Sequence, residues 1–275
     1  MPYTEFTNTQ IDFYRQFLKE NSGYNLIDGK EYLLGSRLRP VLKIHDIENH
    51  DFLINAIKSD PHGQIATDVI EAMTVNETFF FRDDKPFQFF KSEILPQLIE
   101  ASKKRFIKIW SAACSTGQEP YSIAILMSEA QKAHPHLNFK IKASDINQRI
   151  LARARQGLYS KMEVERGLLP ELKKNYFTKI SDQAWTINDD IKKLVTFQQQ
   201  NLRDNFSFIT GNYDVIFLRN VLIYFDLELK TETLNKVSQH MHSDSYLILG
   251  AAENIYDMSD KFNRVPNTTG IYRKA

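Results

Sequence analysis

Small and polar residues follow the first long apolar segment in the middle of the chain. Residues 111–120 read Ser-Ala-Ala-Cys-Ser-Thr-Gly-Gln-Glu-Pro, and small side chains allow a ligand to come close to the backbone. The segment has neither the glycine spacing of a dinucleotide-binding turn nor the lysine of a phosphate loop. It therefore favours a nucleotide-like ligand without a pyrophosphate, although a plain strand-to-helix turn explains it equally well.

Two more polar segments come at the ends of later apolar runs. Asp145 follows the run 139–144, where a carboxylate can accept both ribose hydroxyls of a nucleoside. Taken alone, Asp145 is better explained as a helix cap. Arg219 and Asn220 directly follow the run 213–218, and such side chains are costly in a core without partners. This last segment predicts a functional site.

A fourth polar segment, residues 76–83, surrounds three consecutive phenylalanines with Asn76, Thr78 and Arg82. This composition suits an aromatic and polar lid over a cofactor, and a core linker with a solvated arginine is the alternative. Cys114 is interpreted as a small buried residue and not as a nucleophile. The histidine pairs at 134/136 and 240/242 lack the additional ligand residues and the spacing of a metal site.

The scaffold that must position these segments alternates strands and helices. Apolar runs and periodicity predict strands at 106–112, 139–144, 213–218 and 245–251, helices at 119–133, 150–155 and 227–241, and a terminal hairpin at 262–274 that turns at Asn267. Such alternation gives a mostly parallel sheet covered on both faces. Ligands bind at the carboxyl ends of its strands, where the polar segments fall.

Two regions depart from this alternation. Residues 1–75 contain four helix-like segments and no strand signal, so they predict a small all-helical domain. Residues 176–200 contain two strand-like runs, 185–187 and 194–197, with turn residues between them. We interpret this segment as a small antiparallel insertion.

Charge and cysteine content limit the possible classes of protein. The 275 residues include 35 basic and 34 acidic residues, a net charge of +1, so nothing calls for a nucleic acid or an acidic membrane as partner. A single cysteine fits a reducing cytosol. The N-terminus has no secretory pattern, and no run reaches the roughly 18 apolar residues of a membrane helix. We expect a cytoplasmic protein.

Together these segments resemble the CheR family, the chemoreceptor glutamate O-methyltransferases. The resemblance covers nearly the whole chain and depends most on two long motifs, residues 110–122 and 219–225. One departure is Gln118, where the family usually carries glutamate, but Glu119 is retained. The segments that add to the resemblance are residues 23, 36–38, 76–83, 143–146, 201–202, 249–250 and 253–254.

The resemblance implies a class I S-adenosylmethionine-dependent methyltransferase (Rossmann-like) α/β sheet with a small antiparallel β insertion, preceded by an all-α N-terminal domain. The domains would be 1–75 (all-helical), 76–90 (a linker contributing to the cofactor site) and 91–275 (methyltransferase). The insertion at about 176–200 would be the family's β-subdomain, which helps to dock receptors.

The resemblance also implies a set of residues that bind S-adenosylmethionine from the linker and from the strand ends. They are Asn76, Thr78, Arg82, Glu119, Asp145, Asn201, Leu202, Arg219 and Asn220. Within this set, Glu119 and Asp145 would serve the polar and ribose groups, and Asn201 and Leu202 would hold the adenine. Asn76, Thr78 and Arg82 of the linker would contact the cofactor, and Arg219 and Asn220 would line its methionine side. No metal is expected.

The implied reaction methylates glutamate side chains in the cytoplasmic helical region of chemoreceptors and releases S-adenosylhomocysteine. Glutamate has an ordinary pKa of about 4.3, so it is ionised at neutral pH and needs no general base. Arg82 and Tyr224 are our candidates for orienting that carboxylate. We expect a monomer. The rival hypotheses are a nicotinamide dehydrogenase, which the missing glycine motif opposes, and a non-catalytic scaffold, which the intact cofactor motifs oppose.

Overall fold

The computed structural model describes residues 6–101, 106–206, 209–256 and 258–275. Residues 1–5 of the predicted N-terminal domain lie outside these ranges. From residue 6 to residue 75 the described chain is helical, without a strand. Its helices are α1 Asn8–Ser22, α2 Tyr32–Ile44, α3 His50–Ser59 and α4 Gln64–Met73.

Local chemistry defines both ends of α1. Thr7 and Gln10 form a capping box at its start, which satisfies otherwise unpaired N–H groups. Gly23 ends the helix at φ 76°, a conformation that glycine adopts without steric cost. The face of α1 that carries Tyr14 and Leu18 is buried in a separate apolar core shared with the other three helices.

A second group of helices connects this bundle to the sheet: α5 Lys85–Phe89, a π-helical turn Phe90–Ile94, and α6 Leu95–Ala101. Phe87 and Phe90 of this group pack against Phe217, with ring centroids 5.9 and 5.7 Å apart. The group thereby fixes the preceding residues of the linker against the main sheet.

Strands and helices then alternate through the rest of the chain. In order, they are β1 Ile107–Ala112, α7 Gln118–Ala133, β2 Phe139–Asp145, α8 Gln148–Gln156, β3 Leu158–Ser160, α9 Lys161–Glu165, α10 Pro170–Tyr176, β4 Phe177–Lys179, β5 Ala184–Ile187, α11 Asp189–Lys192, β6 Val195–Gln199, β7 Tyr213–Leu218, a 3-10 turn Leu222–Tyr224, α12 Leu227–Gln239, β8 Met241–Leu249, β9 Phe262–Arg264 and β10 Ile271–Lys274.

The main sheet has seven strands in the order β6-β2-β1-β7-β8-β10-β9. The first five are parallel, and the terminal hairpin β9–β10 adds two antiparallel strands. Successive side chains of β7 point to opposite faces, so Phe217 lies in one apolar cluster and Leu218 in the other. This confirms the predicted mostly parallel sheet covered on both faces, and the predicted strand at 213–218.

The antiparallel insertion is present, but part of its predicted composition is wrong. Its three strands pair in the order β3-β5-β4, so it draws on residues as early as Leu158. The sequence predicts residues 194–197 as part of it, yet β6 pairs in parallel with β2, with Val195 opposite Ile141. The run 194–197 is therefore the edge of the main sheet. No helix in the described ranges is long and apolar enough to cross a membrane.

Candidate active site

A cavity lies at the carboxyl ends of β1, β2 and β7, and the linker and the end of α1 cover it. The strand order reverses direction between β2 and β7 around β1, which is the position where open α/β sheets bind ligands. The cavity contains about 930 Å³ of empty space, including the part open to solvent. All sequence-predicted site residues line it: Asn76, Thr78, Arg82, Glu119, Asp145, Asn201, Leu202, Arg219, Asn220 and Tyr224.

The loop after β1 forms the floor of the cavity in an unusual backbone conformation. Ala113, Ser115 and Gly117 have φ values of 57°, 50° and 92°, and positive φ in non-glycine residues is concentrated at functional sites. A Cβ on Gly117 would lie 3.0 Å from the Cβ of Ala154. The small residues predicted to allow close approach of a ligand therefore also allow the loop to adopt this shape.

Asp145 connects this floor to the next helix. Its Oδ2 accepts a hydrogen bond from the Ser115 N–H at 2.8 Å, and its Oδ1 accepts one from the Asn147 N–H at 3.0 Å. The N-cap of α8 is Asn147, whose side chain accepts from the Ile150 N–H, so the helix-cap interpretation of Asp145 is wrong. Burial raises the pKa of Asp145, while the backbone donors oppose that rise.

Each oxygen of Asp145 keeps acceptor capacity beyond these two bonds, because an ionised carboxylate has about four lone-pair positions. The carboxylate is buried, lines the cavity and sits at the end of β2. This geometry suits a ligand that presents neighbouring hydroxyl groups, as a ribose does.

A buried ion-pair network joins β7, α7 and the linker. The Arg219 guanidinium lies 3.0 Å from Glu119 Oε2 and 2.8 Å from Asp83 Oδ2, and it also donates to the Arg82 carbonyl oxygen. Glu119 Oε1 accepts from Ser111 Oγ at 2.7 Å. Burial raises the pKa of Glu119, and the charge of Arg219 opposes this. Arg219 therefore both lines the cavity and fixes the linker.

Arg82 and Tyr224 approach the cavity from two different segments. The Arg82 guanidinium donates to the Glu77 carbonyl oxygen and lies 5.7 Å from the Phe79 ring centroid. Tyr224 belongs to the 3-10 turn after β7 and is half-buried. Burial raises the pKa of Tyr224 above its ordinary value, so its hydroxyl is protonated at neutral pH and can donate a hydrogen bond.

The loop that carries Asn220 and Tyr224 is held by Glu253. The Glu253 carboxylate accepts from the backbone N–H groups of Asn220 at 2.7 Å, Val221 at 3.0 Å and Gly250 at 2.8 Å. Asn220 itself has φ 57°. Sequence reasoning gave Glu253 no role, although the pair 253–254 was one of the segments carrying the resemblance.

Asn201, Leu202 and the N-terminal bundle also line the cavity. The Asn201 side-chain amide donates to the Asn21 carbonyl oxygen at 2.7 Å, and its Oδ1 accepts from the Arg203 N–H at 3.0 Å. Leu202 is buried and supplies an apolar wall. Ser22 and Tyr24 also line the cavity, and sequence reasoning missed both.

The lining fits an adenosyl ligand. Asp145 can hold a ribose, and Leu202 offers an apolar surface to a base. Among the described residues, no group of three or more His, Cys, Asp or Glu side chains could hold a metal ion. Cys114 is buried, as predicted, and burial raises the pKa of its thiol.

Fold and site together define a class I S-adenosylmethionine-dependent methyltransferase. Residues 76–271 match the family described as "CheR methyltransferase, SAM binding domain", and residues 9–74 match "CheR methyltransferase, all-alpha domain". The chain therefore belongs to the CheR methyltransferase family, and its cofactor is S-adenosylmethionine.

Relatives that align with nearly the whole chain agree with this assignment. The chain is 39% identical over 265 residues to the "Chemotaxis protein methyltransferase" of Vibrio parahaemolyticus, covering 96% of this chain and 95% of that one. It is 35% identical to "Chemotaxis protein methyltransferase 1" of Pseudomonas aeruginosa, with 98% of each chain covered. A Borreliella burgdorferi "Chemotaxis protein methyltransferase" is also 35% identical, over 90% of this chain and 89% of that one.

Proposed function

We propose that the protein transfers the methyl group of S-adenosylmethionine to glutamate carboxylates of bacterial chemoreceptors, giving glutamate methyl esters and S-adenosylhomocysteine, and so serves adaptation in chemotaxis. The names of its relatives support the pathway. The observation that carries the reaction type is the convergence of Arg82 and Tyr224 on the cavity that Asp145 also lines.

The cofactor would be held by residues at three strand ends. Asp145 would accept hydrogen bonds from the ribose, and Asn201 and Leu202 would border the adenine. Glu119 and Asn220 would line the methionine side, with Arg219 holding Glu119 in place. When bound, S-adenosylmethionine supplies an activated methyl group on a sulfonium centre.

The substrate carboxylate would be received by Arg82 and Tyr224. A glutamate side chain is ionised at neutral pH because its ordinary pKa is about 4.3, so the site needs no general base. Among the described residues that line the cavity, none is a histidine. Arg82 supplies positive charge and Tyr224 a hydroxyl donor, and the two orient the carboxylate. Alignment of this kind contributes roughly 7–11 kcal/mol to catalysis in favourable cases.

The partner in this proposal is the cytoplasmic helical region of a chemoreceptor, and the protein acts as a monomer in the cytoplasm. The antiparallel sheet β3-β5-β4 would help to dock the receptor. This part of the proposal rests on the resemblance to the CheR family and on the names of the relatives.

The test is a methyl-transfer assay with radiolabelled S-adenosylmethionine and receptor-containing membranes from the native organism. Label should enter the receptors and be released as methanol by mild base, as expected of a methyl ester. Receptors with the modified glutamates changed to alanine are the control and should stay unlabelled. Tight binding of S-adenosylhomocysteine without any transfer would favour a non-catalytic scaffold instead.

A further inference from the structure

The turn after α1 brings an aromatic side chain of the N-terminal bundle onto Tyr224. The rings of Tyr24 and Tyr224 are stacked, with centroids 5.8 Å apart and an interplanar angle of 21°. The next residue, Asn25, donates its backbone N–H to the Tyr224 carbonyl oxygen at 2.8 Å. Tyr24 itself lines the cavity. The bundle therefore contacts both the ring and the backbone of Tyr224.

We propose that Tyr24 is a positioning residue, which holds the Tyr224 ring so that its hydroxyl faces the substrate carboxylate. This inference rests on the proposed function, because it assigns Tyr24 a part in glutamate methylation. It adds a residue outside the methyltransferase domain to the reacting end of the site.

The fold holds this turn against the site at several points. Gly23 has φ 76°, and a Cβ there would lie 2.3 Å from Leu229 Cδ2 and 3.1 Å from Phe225 Cε1. Only glycine allows the chain to pass so close to the segment that follows Tyr224. In the last turn of the same helix, Lys19 pairs with Asp226 at 2.8 Å. These contacts leave the turn little freedom to withdraw.

The physical need for such support comes from the position of Tyr224. It lies in a three-residue 3-10 turn and is half-buried. Its ring packs against the edge of an apolar cluster of the sheet, so the core covers only part of it. A stacked partner restricts it directly, and aromatic pairs of this geometry contribute beyond simple burial. Burial raises the pKa of both tyrosines, so at neutral pH the stacked pair carries no charge that would repel the substrate.

The first experiment compares Tyr24→Leu and Tyr24→Phe in methylation of a receptor fragment. Tyr24→Leu is expected to lower kcat about 2- to 12-fold, which corresponds to the roughly 0.5–1.5 kcal/mol of an aromatic pair. The KM for receptor and the Kd for S-adenosylhomocysteine should change less than twofold. Tyr24→Phe keeps the ring and should recover most of the rate. Tyr24→Met replaces Tyr24→Leu if the leucine variant does not fold.

The matched control is Phe52→Leu, an exposed aromatic of the same bundle that does not line the cavity, and its kcat should equal that of the wild type. A double-mutant cycle separates alignment from general loss of structure. In a Tyr224→Phe background, which lacks the hydroxyl, the effect of Tyr24→Leu should shrink to less than twofold. Equal falls in both backgrounds, or an unchanged kcat in Tyr24→Leu, would overturn the inference while leaving the methyltransferase function intact. A wild-type enzyme without any transfer would instead remove the proposed function, and this inference with it.

Discussion

At the scale of single residues, Asp145 combines a structural and a binding task. Its two oxygens accept backbone hydrogen bonds from Ser115 and Asn147, and both remain able to accept from a ligand. The two backbone hydrogen bonds fix the floor of the cavity. The remaining acceptor positions of the carboxylate would receive the ribose hydroxyls in the proposed complex. Loss of the carboxylate should therefore affect the cofactor more than the fold.

We expect Asp145→Ala to weaken binding of S-adenosylhomocysteine about 10- to 100-fold, because hydrogen bonds to charged groups contribute roughly 1.5–3 kcal/mol. Calorimetric titration measures this, and thermal unfolding without ligand reports on the fold. Asp182→Ala, on an exposed turn of the insertion, is the matched control and should bind normally. An unchanged affinity in Asp145→Ala would assign the carboxylate to loop structure alone.

Tyr224→Phe removes a hydroxyl and keeps the ring, the stack on Tyr24 and the turn. We expect cofactor affinity to be retained and kcat to fall, because an interaction made in the transition state appears in the maximal rate. Arg82→Ala should impair both cofactor binding and rate, since the guanidinium lines the cavity within the linker. Steady-state methylation beside calorimetry measures both variants. Wild-type kcat in Tyr224→Phe would remove the hydroxyl from the reaction.

Sequence motifs predict the residues that line the cavity. They do not predict the residues that contact and support those side chains from distant parts of the sequence. Every predicted site residue lines the cavity, since strand ends and the loops after them meet at one edge of a parallel sheet. Tyr24 and Glu253 could not be found in this way. Their roles come from contacts with a loop around 200 and around 30 residues away in sequence, and no local pattern encodes such pairing.

At the scale of elements, the loop after β7 depends on one carboxylate. Glu253 accepts from the N–H groups of Asn220, Val221 and Ile223 within that loop, and from Gly250 at the end of β8. The loop therefore keeps its shape through a neighbouring strand end, and Asn220 keeps its positive φ.

Glu253→Gln should loosen this loop. The glutamine amide group is a donor, and it would face N–H donors where the carboxylate oxygen accepted, so unpaired groups would cost about 1–3 kcal/mol of stability. We expect a lower Tm and a lower kcat. Addition of S-adenosylhomocysteine should restore part of the stability, since binding favours the ordered loop. Glu165→Gln, on the surface helix α9, is the control. A Glu253→Gln enzyme with normal Tm and kcat would show that the loop is held by other contacts.

The sheet that β6 joins and the start of β8 are the two strand features that the sequence does not predict correctly. The sequence places β6 in the insertion, because a strand-like run alone does not reveal which sheet it joins. Its pairing partner, β2, lies about fifty residues earlier. β8 begins at Met241, not at the predicted 245. Residues 242–244 are polar and exposed, so they give no strand signal. The pairing of β8 with β7 is irregular at these residues, because Tyr213 pairs with Met241 and Val215 with Tyr246. Asp244, between the two pairs, has φ 66°. Neither feature follows the period-two pattern from which strands are predicted.

At the scale of the whole molecule, the helical bundle contacts the methyltransferase domain through two helices, α1 and α4. On one side the end of α1 contacts Asn201 and Asp226. On the other side α4 meets the start of α8, where Glu71 accepts from the Gln148 N–H at 2.7 Å. Asp68, also on α4, accepts from Arg149. A bundle attached at two sides can close the cavity only if both attachments hold.

Asp68 makes the second attachment sensitive to acid. Its burial favours the neutral form, but hydrogen bonds from His45 and Gln64 and the charge of Arg149 outweigh burial, and the pKa of Asp68 is lowered in the folded protein. A lowered pKa means that the unfolded chain binds the proton more readily. The stabilisation is therefore complete above the unfolded pKa of about 3.9 and is lost as the pH falls through the folded value.

Asp68→Asn should lower the free energy of unfolding by about 1–3 kcal/mol at pH 7, since the buried network loses one acceptor oxygen and its negative charge. The difference between wild type and variant should stay constant from pH 7 down to about pH 5 and shrink as the pH approaches and passes below the unfolded pKa of about 3.9. Urea unfolding at each pH measures it, with exposed Asp12→Asn as the control, because a surface ion pair contributes little. A difference that stays constant to pH 3.5 would show that folding does not lower the pKa of Asp68, and so that the Arg149 contact does not stabilise its charge in solution. A variant that also loses affinity for S-adenosylhomocysteine would show that this attachment, although it lies outside the cavity, helps to close it.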